Sequence, residues 1–136
     1  NDGCGMTQRW QQGNTINAYL VMKVFSGYRD CPAQPDAWHQ YAPDTAQKLV
    51  GKHSISISPG FWKADEAAAR LPRDLNQWNQ AIREMVNSDT KFHLITTFNE
   101  WGEGSAVESA FGWESASGYG HYLDALHLDG LGTDGN

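Results

Sequence analysis

Glu100 and Glu103 stand three positions apart in the run Asn99-Glu-Trp-Gly-Glu-Gly104, where Gly102 and Gly104 allow a tight turn to aim both carboxyls into one cleft. Glycoside cleavage needs such a pair: one carboxyl protonates the leaving oxygen while the other assists attack at the anomeric carbon. Two carboxyls held close also repel, and that repulsion separates an acid from a base. Taken alone, glutamates at this spacing are more often a solvated turn, so the elements around them decide.

The turn follows Phe92 to Asn99, an apolar run rich in β-branched and aromatic residues that reads as a buried strand emptying into a loop. Ahead of it, Pro72 to Ser88 predicts the clearest helix. Leu75, Trp78, Ile82, Met85 and Val86 fall on one stripe, Asp74 sits in the first turn and Pro72 suits the first helical position. That stripe marks Trp78 as core and not as a ligand platform. Before the helix, His53 to Ser58 alternates with strand period and breaks at Pro59-Gly60 into Phe61-Trp62-Lys63. Strand, crossover helix and strand in this order predict a parallel βαβ unit, hence an α/β fold, whose chemistry belongs at the carboxyl ends of the strands.

The amino-terminal part is less regular. Met6 to Gln12 predicts a short helix stopped by Gly13-Asn14, and Ala18 to Phe25 predicts a strand covered on both faces, with Lys23 near its end or paired inside. Ser26 to Ala42 reads as a loop broken by Gly27, Pro32 and Pro35, in which Tyr28, Trp38, His39 and Tyr41 alternate with Arg29, Asp30 and Asp36. Long aromatic loops are often functional, and packing of the rings onto the body is the alternative. Asp44 to Val50 is expected to add a helical turn or two. After the glutamates, Ser105 to Gly120 is a second long loop, and His121 to His127 predicts a final helix burying Tyr122, Leu123 and Leu126.

A chain of 136 residues fits one domain and can bury a core, and its six Trp, five Tyr and five Phe mark it as folded. The formal net charge of -6, without a Lys/Arg cluster, argues against a nucleic-acid partner. No segment approaches the roughly 18 apolar residues of a membrane span, and the amino end lacks a signal-peptide pattern. Nothing implies a cofactor, and no spacing implies a metal site. Cys4 and Cys31 fit either a disulfide or two free thiols; the bridge is the expectation, and with it an extracellular setting. The domain is expected over residues 1–128, followed by a Gly/Asp-rich tail over 129–136. That tail has the oxygen-rich look of a calcium loop but lacks the spacing and closing Glu of an EF-hand, which favours a solvated tail.

The run Phe98-Asn-Glu-Trp-Gly-Glu-Gly-Ser-Ala-Val-Glu108 resembles the strand-end motif of the family 99 glycoside hydrolases, the endo-α-mannosidase and endo-α-mannanase family, and of related hydrolase-like proteins from polysaccharide gene clusters. Ser58-Pro-Gly-Phe-Trp62 and the helix after it are similar to the penultimate β/α unit of the same barrel. The resemblance implies a partial (β/α)8 TIM barrel, about three β/α units from its carboxyl-terminal half, against roughly 250 residues for a whole one. It implies Glu103 as general acid and Glu100 as the base that helps the substrate's own 2-hydroxyl attack through an epoxide-like intermediate. Glu108 matches a later Glu of the motif and would shape the site. Asn99 lies within the motif, and Trp62, Trp101 and Trp113 offer apolar faces to sugar rings, packing being the alternative for each. The partner implied is an α-mannoside-type glycan. A half barrel leaves open strand edges, so self-association or a longer chain completing the barrel is expected. The competing reading is a noncatalytic extracellular protein that binds glycans or self-assembles on the same scaffold.

Overall fold

The computed structural model describes residues 3–131. Helix α1 (Gly3–Gly13) is followed by strands β1 (Val21–Lys23), β2 (Ala37–His39), β3 (Gln47–Val50) and β4 (Ser54–Ile57), then helix α2 (Leu75–Val86), strand β5 (Phe92–Ile95) and helix α3 (His121–His127). The fold is mixed α/β with two small sheets, and no closed barrel forms among the described residues. From residue 132 on, the expected tail lies outside them.

The predicted parallel βαβ unit is present: β4 and β5 pair in parallel, Ser54 opposite Phe92, with α2 as the crossover. All four residues of β4 are buried. Ile55 and Ile57 face a cluster with Trp78, Ala81, Ile82 and Met85 of α2, Tyr122 and Ala125 of α3, and Val107. On the opposite pleat, the Ser54 hydroxyl donates to the Trp38 carbonyl at 2.9 Å and the Ser56 hydroxyl to that of Gln40, so β2 lies against β4 through satisfied hydroxyls. Helix α2 starts later than expected. Asp74 is its N-cap, accepting from the Gln77 N–H at 2.8 Å, and Pro72 lies outside it; Trp78 is 1% exposed, as a core residue should be, whereas Val86 at the end of the stripe is exposed.

Four expectations are corrected. Asp44 to Val50 does not turn into helix: Gln47–Val50 pairs antiparallel with β4, because Gly51, at φ +54°, lets the chain reverse and sets Val50 opposite Ser54. The loop Ser26 to Ala42 hides β2, since Ala37–His39 lies beyond its last proline and is free to pair with β1 in parallel. The strand expected over Ala18 to Phe25 shrinks to Val21–Lys23, of which only Met22 is buried. Strand β5 is short and half-open, with Ile95 exposed; it pairs with β4 alone among the described residues, so its other edge is unpaired there. Where β1 and β5 begin, the Tyr19 ring lies 6.2 Å from that of Phe92 and its hydroxyl accepts from Lys91 Nζ at 3.1 Å, which brings the two sheets together at that end.

Cys4 of α1 is bonded to Cys31, with Cα atoms 5.3 Å apart. The bridge ties the helix to a small cluster of Met22, Tyr28, Trp38 and Val50. No helix among the described residues is long and apolar enough to cross a membrane.

Candidate active site

The chain leaves β5, folds through a 3-10 turn at Trp101–Glu103 and doubles back, so that the Glu108 N–H meets the Phe98 carbonyl at 2.9 Å and the Thr97 N–H meets that of Ser105 at 3.0 Å. Ser105, Ala106 and Val107 are buried and root the turn. Gly104 is required where it stands: its φ is +63°, and a Cβ there would come within 3.1 Å of the Trp62 carbonyl oxygen. The Trp62 N–H donates to the Glu103 carbonyl at 2.9 Å, which fastens the loop after β4 to the motif.

Behind the turn, the Arg73 guanidinium donates to the carbonyls of Gly104 at 3.0 Å and Ala106 at 2.9 Å. Its central carbon, Cζ, lies 4.1 Å from the ring centres of both Trp113 and Tyr122. A cation held against two rings, with both terminal nitrogens donating to backbone oxygens, makes the turn part of the core's framework. Sequence reading misses Arg73 entirely, because a lone Arg ahead of a helix has no signature of its own.

The two glutamates differ in how they are held. The Tyr41 hydroxyl donates to Glu103 Oε2 at 2.7 Å, and Lys63 Nζ lies 3.9 Å from Oε1. Glu100 is exposed, and its backbone N–H donates to Thr97 Oγ1 at 2.9 Å. Both carboxylates act on Tyr41: its phenol is pushed up from 10.0 to about 12, first by burial, then by the hydrogen bond to Glu103 and by the charges of Glu103 and Glu100. The phenol thus stays a donor across the physiological range.

Of the other expected site residues, Trp62, in the loop after β4, and Trp101, in the turn itself, are 55% and 47% exposed. Trp113 is partly buried and stacks on Trp101, ring centres 5.6 Å apart at 10°. Glu108 organises both: its carboxylate accepts from Trp101 Nε1 at 2.8 Å and its carbonyl from Trp113 Nε1 at 3.0 Å. Asn99 is exposed, its carbonyl accepting from the Trp101 N–H. A hollow of about 460 Å3 opens along the loop 109–120, lined by Phe111 and Glu114 but by neither Glu100 nor Glu103. Among the described residues no group of three His, Cys, Asp or Glu converges as a metal ion would require.

No family model, curated protein or solved structure matches this chain. What the site can do therefore rests on its own chemistry: a carboxyl oriented by a phenol, a second and freer carboxyl three residues before it in the chain, and two exposed indoles.

Proposed function

We propose that this chain is glycan-active, of the family 99-like glycosidase type, acting on α-mannoside-type glycans. Glu103 gives its proton to the glycosidic oxygen as the C1–O bond breaks. Glu100 takes the proton of the sugar 2-hydroxyl, whose oxygen closes onto C1. Water then opens the 1,2-anhydro ring at C1, yielding a proton to Glu103, while Glu100 returns its proton to O2, so both carboxyls end as they began. Trp62 and Trp101 offer stacking faces to the sugar rings, Glu108 and Trp113 hold Trp101 in place, and Asn99 lies at the mouth of the turn. The observation that carries this reading is the Tyr41 hydroxyl on Glu103, which orients one carboxyl of the pair and leaves the other free.

Replacing Glu103 by Gln is expected to reduce α-mannoside hydrolysis by about 10²–10⁴-fold, the usual contribution of a positioned acid, with folding unchanged. Turnover equal to the parent chain would remove the role assigned to Glu103.

A second reading, a noncatalytic assembling protein, draws on a separate observation: β1 and β5 each pair on one edge only among the described residues, and Tyr19, Phe25, Ile95 and Phe98 are exposed near them. Ordered assemblies of this chain alone, with no hydrolysis, would favour it. A longer chain that supplies further strands would cover the same edges. The disulfide suits an extracellular location under either reading.

A further inference from the structure

Tyr41, which holds Glu103, also lines an open cavity of about 430 Å3 together with Lys23, Pro43, Asp44, Thr45 and Lys48. Lys23 reaches it from the end of β1, its ammonium 5.6 Å from the centre of the Tyr41 ring, and Lys48 reaches it from β3. The ion pairs among the described residues engage Lys52, Lys63 and Arg70, and neither Lys23 nor Lys48. Asp44 is the one carboxylate among the lining residues against two lysines, with Glu103 behind Tyr41, on a chain whose net charge is -6. Exposed lysines are ordinary; two that line one cavity, without ion-pair partners, beside the tyrosine that hydrogen-bonds the candidate acid are not.

We propose that this cavity receives the negatively charged substituent, a carboxylate or a phosphate, of a sugar whose glycosidic bond lies at Glu103. The inference rests on the glycosidase reading and narrows its substrates to acidic glycans.

The test is binding of D-mannuronic acid, D-mannose 6-phosphate, D-mannose and inorganic phosphate to the whole chain, followed by calorimetry and NMR shifts. The acidic sugars are expected to bind about tenfold tighter than mannose at low salt, as two partly solvated charges on a third would give. That advantage should fade in about 0.5 M NaCl. It should vanish in the double variant Lys23→Gln/Lys48→Gln, whose fold is checked by circular dichroism, and persist in Lys52→Gln, which removes one lysine charge outside the cavity, from a side chain paired with Asp89. Equal binding of acidic and neutral sugars, or an advantage that survives the double variant, overturns the proposal. Inorganic phosphate binding as tightly as mannose 6-phosphate overturns it too, leaving a simple anion site. Failure of the glycosidase reading shows elsewhere, as hydrolysis unaffected by Glu103→Gln.

Discussion

The two halves of this molecule are held together by different means. In the carboxyl-terminal half, Ile55 and Ile57 of β4 meet Trp78, Ile82 and Met85 of α2 and Tyr122 of α3 in one contiguous core. In the amino-terminal half, the cluster has only four buried residues, Met22, Tyr28, Trp38 and Val50, with Met6 and Val24 partly buried against it, and α1 is fastened there by a disulfide as well as by Met6. One half closes by burying apolar area; the other leans on a covalent link and on serine hydroxyls bonded to the Trp38 and Gln40 carbonyls. The candidate site spans them, since Glu103 is rooted in the packed half and Tyr41 follows β2 in the stapled one. Its geometry is therefore only as firm as the weaker half.

The largest effect is expected from Trp78→Ala. The side chain is 1% exposed, and its Nε1–H donates to the Tyr122 carbonyl at 3.0 Å, so the change opens a large cavity and orphans an acceptor between α2 and α3. A loss of about 3–5 kcal/mol in denaturant unfolding follows, a large share of what a domain of this size has. A cost below about 1 kcal/mol would mean that the core does not hold this half.

Removing the bridge, by Cys4→Ser with Cys31→Ser, should cost nearly as much but in a different place. For a sequence separation of 27 residues, the chain-entropy account gives about 3–4 kcal/mol. Because few apolar contacts tie α1 and β1 to the rest, the loss should appear as faster hydrogen exchange in α1, β1 and β2 while the α2 amides keep their protection. Uniform loss across both halves would erase the contrast.

The same contrast explains what could be read before the fold was seen. The packed half is written in local periodicities: the α2 stripe, the β4 alternation and the His121–His127 helix each announce themselves within about ten residues. The stapled half is not. Ala37–His39 and Gln47–Val50 are strands because a partner lies beside them, and three or four residues between prolines and glycines carry no period to detect. The site divides in the same way. Glu100 and Glu103 are visible as a pair in one turn, whereas Tyr41 stands 62 residues from Glu103 in the chain and Arg73 reaches the turn from 31 residues away. Such contacts belong to tertiary structure, and no single stretch of sequence encodes them.

The smallest and most specific effect is expected from Tyr41→Phe, which removes the one side-chain hydrogen bond of Glu103 that joins the halves. At neutral pH the loss should be about 1 kcal/mol, because the pair is only partly buried and water can replace the phenol. Its pH dependence is the sharper readout. The folded phenol titrates near 12 and the unfolded one near 10.0, so the folded state holds its proton more tightly. A folded pKa raised in this way contributes stability that is full below pH 10 and is lost as the pH climbs toward 12. The parent chain should therefore lose its advantage over Tyr41→Phe across that window, and its absorbance titration at 295 nm should show a late-ionising tyrosine that the variant lacks. A stability difference that stays constant through pH 12, or identical titrations apart from one ordinary tyrosine, would mean that Tyr41 does not hold Glu103 in solution. The two halves would then meet without a shared site.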